Sequence, residues 1–156
     1  MNMISNSIIA LSQFPDARRR LQEQPDLWAS ALDELLRFVS PVQGLTRNTL
    51  QDATLHGVTI PAGDQVLLLY GSANHDERAF DNPDVLDLDR KPKVHWAFGH
   101  GIHYCLGNAV ARLEVRVALQ VLIEELGDWD VDIDRVERNQ LVPTRGVAHA
   151  PTSFAA

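Results

Sequence analysis

The sequence predicts an α+β fold in which helices dominate and the strands are short. Two observations carry this prediction. Segments with helical spacing of apolar residues stand at the start of the chain and near its end, and strand-like runs follow them with little alternation of strand and helix. A chain of 156 residues that is 45% hydrophobic also has the length and apolar content of one packed domain.

Three helices are predicted in the first third of the chain. Ile4 to Phe14 reads as helical without an N-cap residue before it, as though a longer helix had been cut. A short second helix, DARRRLQEQ, opens after Pro15. Asp26 is the expected N-cap of a third helix, LWASALDELLRFV, which Pro41 ends.

The middle of the chain predicts strands and turns. The runs GLTRNTL and ATLHGVTI are strand-like, and PAGD then turns the chain into a third run, QVLLLYG. The segment ANHDERAF is expected to form a helical turn. Asp81 to Lys93 is rich in Pro, Asp and Asn, so an ordered but irregular loop is expected there.

The strongest helix of the sequence follows the only cysteine. It covers NAVARLEVRVALQVLIEEL, with apolar residues along one face, and Gly127 caps it. Short strands are expected in the tail segments DWDVDI, QLVPTRGVA and APTSF.

Charge and cysteine content exclude several classes of protein. A net charge of −7 argues against a general nucleic-acid binder, because phosphate neutralisation needs a basic surface. A single cysteine cannot form an internal disulfide, which fits a reducing compartment. The first residues lack the order of a secretory signal, and no apolar run approaches the roughly 20 residues that span a bilayer. A cytoplasmic protein without a membrane anchor is therefore expected.

The stretch FGHGIHYCLG holds that cysteine, Cys105, immediately before the long helix. Backbone N–H groups and the helix dipole favour an anion there, which suits a thiolate. Glycines permit close approach of a bulky flat group, and one thiolate in cleared space is what an axial ligand of haem iron requires. Three alternatives remain open: a small buried hydrophobe, an ordinary glycine turn, and a hydrolase nucleophile paired with His103.

Six positions of this stretch together resemble the haem-ligating loop FGxGxHxCxG of the cytochrome P450 family, and the match is complete. They are Phe98, Gly99, Gly101, His103, Cys105 and Gly107. The resemblance implies that Cys105 is the axial thiolate of haem b and that His103 reaches a haem propionate.

Further landmarks of that family occur in the same order. Glu34 and Arg37 resemble its ExxR pair, although an i, i+3 pair alone is usually a weak surface contact. The resemblance implies that this pair locks to Arg90 and so supports the cysteine loop. Arg47 resembles the strand arginine that binds a haem propionate, a task suited to a planar guanidinium.

Other positions correspond more loosely to the family. The segments containing Val42, Gln43 and Leu45, and Val142 and Pro143, resemble substrate-facing segments, which implies a small apolar organic substrate. Arg112 is a candidate for meeting an acidic electron donor, a ferredoxin or similar protein, with an ordinary charged helix face as the alternative.

The resemblance runs from about Ile4 to Phe154, whereas family members are more than twice this length. It therefore implies one incomplete domain over residues 1–156: the mainly helical C-terminal part of the cytochrome P450 fold, with small antiparallel sheets and without most of the central oxygen-activating helix. By family the protein is a monooxygenase that inserts one atom of O2 into its substrate. The alternative is a non-catalytic remnant that binds haem weakly or associates with another chain. Self-association through the exposed truncated face is a further expectation.

Overall fold

A computed structural model of the chain describes residues 1–90, 94–139 and 143–154. The helices are α1 (Asn2–Gln13), α2 (Pro15–Glu23), α3 (Trp28–Val39), α4 (Tyr70–Asn74) and α5 (Asn108–Leu126). The strands are β1 (Leu45–Asn48), β2 (Ala53–Leu55), β3 (Val58–Ile60), β4 (Gln65–Leu68), β5 (Trp129–Val131), β6 (Glu137–Asn139), β7 (Gly146–His149) and β8 (Thr152–Phe154). This mixture confirms the predicted fold class.

The helices pack around an apolar core centred on α1. Helix α1 contacts α2, α3 and α5, and strand β5 lies against it as well. Each of the four long helices contributes a leucine that is at most 1% exposed: Leu11, Leu21, Leu35 and Leu119. Apolar residues recur along α3 at helical spacing, so one face of that helix is buried against this core.

The strands form separate antiparallel pairs, as expected for small sheets: β1 with β4, β2 with β3, β5 with β8, and β6 with β7. The run ATLHGVTI is a hairpin and not the single strand that its composition predicts. Its turn residues His56 and Gly57 have φ of 49° and 80°. Positive φ at both central residues is typical of a two-residue turn whose twist matches the flanking strands.

The start of α3 also differs from the sequence prediction. A 3-10 turn, Pro25–Leu27, runs directly into the helix, and Asp26 lies inside this turn. Leu27 occupies the N-cap position with helical backbone angles, and no side-chain hydrogen bond caps the helix. Asp26 is therefore wrong as the N-cap, because the cap needs a non-helical backbone that the 3-10 turn does not provide.

Other boundaries agree with expectation. Helix α5 covers the predicted segment, and Gly127 follows it with φ of 63°. The backbone N–H of Phe80 donates to the carbonyl of Asp76 at 2.9 Å, which forms the expected helical turn. The loop from Asp81 is irregular as far as Arg90, and residues 91–93 lie outside the described residues. In the described parts of the chain, no helix combines the length and the apolar character that crossing a membrane requires.

Candidate functional site

The loop that carries Cys105 is fixed through its backbone. The Cys105 N–H donates to the carbonyl of Phe98 at 3.0 Å, and the Cys105 carbonyl accepts from Asn108 Nδ2 at 2.8 Å. Between Phe98 and Cys105, Gly99 and Gly101 have φ of 71° and 70°, a left-handed backbone that glycine adopts without strain. The loop thus doubles back on itself and leaves Cys105 just before the first turn of α5.

The loop around Cys105 is largely exposed and carries apolar side chains. A Cβ added at Gly101 or at Gly107 would meet no atom within 4 Å. Ile102 and Leu106 flank the half-buried Cys105 and are 98% and 99% exposed. A half-buried thiol beside cleared space and exposed apolar side chains fits the flat, largely apolar ring of a haem.

The two side chains predicted at the haem propionates lie on different elements. His103 is exposed and ends the 3-10 turn Gly101–His103 in the cysteine loop. Arg47 lies in β1, where its Nη1 donates to the carbonyl of Thr46 at 2.8 Å. Both assignments stay predictions.

The structure brings Glu34, Arg37 and Arg90 together. Arg37 binds Glu34 through Nε and Nη2, each at 2.8 Å, and Arg90 Nε donates to Glu34 Oε1 at 3.1 Å. The side chains of Glu34 and Arg37 have no exposed area, and that of Arg90 is 11% exposed. Arg37 also donates to the carbonyls of Asn74 and Pro83, at 2.6 and 2.9 Å. The three residues therefore join α3 to the loops that precede the cysteine.

A second polar cluster lies beside the first, and two of its three members, Asp33 and His95, carry no signal in the sequence. Asp33 Oδ1 lies 3.2 Å from His95 Nε2 and accepts a hydrogen bond from Arg112 Nη1. The His95 and Arg112 donors lower the pKa of the Asp33 carboxyl, against the opposing effect of burial. Residues 33, 95 and 112 are far apart in sequence, so only the fold reveals their proximity. Arg112, predicted to face an electron donor, also binds an acid within its own chain, and its role toward a donor stays a prediction.

The two segments predicted to face substrate lie against each other. Val42 forms an isolated antiparallel bridge with Thr144, and the Gln43 N–H donates to the carbonyl of Pro143 at 2.8 Å. Leu45 begins β1 and is 39% exposed. Val142 lies outside the described residues.

Comparison with known proteins gives a consistent result. The family model for "Cytochrome P450" matches residues 19–152. The biotin biosynthesis cytochrome P450 of Bacillus subtilis (strain 168) is 40% identical over 154 residues. Cytochrome P450 130 of Mycobacterium tuberculosis is 48% identical over 136 residues, which are 86% of this chain and 33% of that protein. The crystal structure of P450BioI in complex with hexadec-9Z-enoic acid-ligated acyl carrier protein superposes with a TM-score of 0.92 at 41% identity.

The match to the P450BioI structure covers 99% of this chain but only 40% of that one. The biotin biosynthesis relative likewise matches 99% of this chain over 39% of its own length. The chain thus spans about two-fifths of the length of these relatives.

Proposed function

The chain belongs to the cytochrome P450 family, and we propose on this basis that it is the haem-binding portion of a monooxygenase. The reaction would insert one atom of O2 into a small apolar organic substrate and reduce the other atom to water. The observation that carries this proposal is the complete cysteine loop motif, folded so that Cys105 stands in open, apolar surroundings before α5.

We assign Cys105 as the residue that would hold the iron of haem b, and the haem would supply the O2 chemistry when bound. His103 and Arg47 are assigned to the haem propionates. Gly101 and Gly107 leave room for the ring because neither carries a side chain. The N-terminal end of α5 follows Cys105 directly, and the partial positive charge at a helix N-terminus suits an anionic metal ligand.

The Glu34, Arg37 and Arg90 network is assigned a supporting role. It ties α3 to the segment that runs into the cysteine loop, and its members are almost fully buried. A loop held at its start is pre-organised, so less ordering is needed when a cofactor binds.

Substrate and electron donor follow from the same proposal. Val42, Gln43, Leu45 and Pro143, with Val142, are the candidate substrate contacts, and their largely apolar character suits an apolar organic molecule. A ferredoxin or similar protein is the proposed electron donor. Arg112 is 29% exposed while bound to Asp33, so it offers such a donor only part of its guanidinium. The single cysteine supports a cytoplasmic location.

The test is the absorbance of the purified chain after loading with haem and reduction under carbon monoxide. Thiolate ligation produces a strongly red-shifted Soret band, so we expect this band in the loaded chain. A Soret band of the kind given by histidine ligation or by free haem would contradict the assignment of Cys105.

A non-catalytic remnant is the second candidate function. One observation favours it: α5 presents Val110, Leu113, Val117 and Val121 along one face, each 48–60% exposed. A chain with such a face would bind haem weakly or associate with another chain. Both candidates predict uncoupled chemistry for this chain alone, so haem loading separates them: a stable thiolate-type Soret band supports the first candidate, and loss of haem without that band supports the second.

A further inference from the structure

Two adjacent carboxylates of α3 hold the segment before Cys105 at two different points. Glu34 Oε1 accepts from the backbone N–H of Asp87 at 3.0 Å and from Arg90 Nε at 3.1 Å. Asp33 contacts His95, further along the same segment. Successive residues of an α-helix point about 100° apart, so neighbouring side chains reach different parts of the loop.

His95 contacts both partners of the Asp33–Arg112 ion pair. Its Nε2 lies 3.2 Å from Asp33 Oδ1 and 3.3 Å from Arg112 Nη2, and the backbone N–H of Ala97 donates to its Nδ1 at 3.3 Å. The His95 side chain is only 7% exposed, so these polar partners replace water around the ring.

Arg112 joins the cluster from α5. It forms an ion pair with Asp33, and its guanidinium carbon lies 5.2 Å from the centre of the Phe98 ring. The His95 ring contacts the same phenyl ring, with a centroid distance of 6.0 Å. The carbonyl of Phe98 in turn accepts the hydrogen bond from the Cys105 N–H. A continuous series of contacts therefore runs from Asp33 through Phe98 to the cysteine.

We infer that Asp33, together with His95 and Arg112, is a positioning residue that fixes Phe98 and through it the backbone of Cys105. Its consequence for haem ligation rests on the proposed function, whereas the positioning itself does not. Arg112 needs a counter-ion to remain beside Phe98, and Asp33 supplies the charge. Without that charge the guanidinium is better solvated away from the aromatic ring, and both partners of Phe98 are released.

The test is amide hydrogen exchange of this chain without haem, in Asp33→Asn and in the parent. We expect the Cys105 amide to exchange roughly tenfold faster in the variant, which corresponds to about 1.4 kcal/mol in local opening. The reference is the Val131 amide in β5, which donates to Ser12 Oγ at 2.9 Å. Its exchange should change much less. Asp33→Glu, which keeps the charge, should restore at least part of the protection at Cys105.

A matched control is Asp16→Asn, which removes the carboxylate of an exposed ion pair with Arg19. It should leave the ratio of the two exchange rates unchanged. Should Asp33→Asn fail to fold, Arg112→Gln removes the same ion pair from the α5 side and should give the same selective acceleration. Equal acceleration at Cys105 and Val131 would reveal a purely global loss of stability and overturn the inference, as would unchanged exchange at Cys105.

A second readout links the cluster to the cofactor. In the haem-loaded chain, Asp33→Asn should lower the fraction of the reduced, carbon monoxide-bound form that shows the thiolate-type Soret band, and Asp33→Glu should recover it. If the parent chain shows no such band but the exchange result holds, the proposed function fails and the positioning role stands. If the parent shows the band and exchange is unselective, the positioning role fails alone.

Discussion

Glu34 and Arg37 form a bidentate ion pair whose side chains have no exposed area, with both N–O distances at 2.8 Å. Burying charges is costly unless every polar group is paired. Here Arg90 shares the same carboxylate, and the remaining Arg37 donors reach backbone carbonyls, including that of Asn74 at 2.6 Å. The pair is therefore a satisfied network, and each partner depends on the others.

Glu34→Ala should destabilise the fold by about 3–5 kcal/mol, because it leaves two guanidinium groups buried without a counter-ion. Chemical denaturation of parent and variant measures this difference in the free energy of unfolding. We also expect weaker haem retention, since Arg90 would no longer hold the segment that leads to Cys105.

The matched control is Asp16→Ala, which removes the acid of another i, i+3 pair. Asp16 is 84% exposed and its partner Arg19 is 64% exposed, so solvent already screens their interaction. Asp16→Ala should therefore change the free energy of unfolding only slightly. If Glu34→Ala lowered the free energy of unfolding no more than Asp16→Ala does, the buried network would contribute no more to stability than a surface ion pair.

The sequence predicted those elements whose signals are local. Helix α5 has a long periodic pattern and a glycine at its end, and its bounds agree with the prediction. The β2–β3 hairpin was missed because its turn, His56 and Gly57, is a weaker signal than Asn-Gly and interrupts an otherwise continuous strand-like run. Asp26 was misplaced because a 3-10 turn competes with a capped helix start, and composition alone does not separate the two.

The candidate site shows a similar division. The cysteine loop is contiguous, so the motif alone indicated its residues. The link from Glu34 to Arg90 was expected only through the family resemblance, since nothing local pairs residues 34 and 90. Asp33 and His95 went unnoticed because their pairing depends on how α3 packs against the cysteine loop, a relationship that no local spacing encodes.

Asp33 should make stability depend on acid pH. Its pKa is lowered from the usual 3.8, first by the His95 hydrogen bond and then by Arg112. Because the folded-state pKa lies below the unfolded value, ionised Asp33 stabilises the fold above about pH 4, and this stabilisation is lost as the pH falls through the folded-state pKa. Free energies of unfolding at a series of pH values should therefore fall less steeply toward acid in Asp33→Asn than in the parent. Parallel curves would show that Asp33 is not coupled to folding.

Cys105→Ser should abolish the thiolate-type Soret band of the haem-loaded chain with little change in melting temperature. The hydrogen bonds that fix this residue use its backbone, so the loop keeps its shape after the exchange of sulfur for oxygen. His103→Gln is the comparison: it should weaken haem binding while the thiolate-type band persists. A red-shifted band in Cys105→Ser would rule out Cys105 as the ligand.

The apolar face of α5 should drive self-association. Val110, Leu113, Val117 and Val121 follow helical spacing and are each 48–60% exposed, which leaves a continuous apolar stripe. Val117→Gln should shift the chain toward the monomer in sedimentation velocity. The matched control is Arg116→Gln, at the adjacent exposed position, which should leave the proportion of monomer unchanged. An equal shift in both variants, or in neither, would place the association elsewhere.

The chain alone should not couple reductant consumption to product formation, even when haem is loaded. It spans about two-fifths of its relatives' length, with 39% coverage of the biotin biosynthesis cytochrome P450. The residues around Cys105 would contact the proposed haem from one side only, and Ile102 and Leu106 beside it are almost fully exposed. Water then reaches the site freely, and no described residue closes a pocket above it to order substrate and protons.

We expect reductant to be consumed with little hydroxylated product when haem, a ferredoxin system, NADPH and an apolar substrate are supplied. Stoichiometric product from a monomer of this chain would show that the described residues suffice for catalysis.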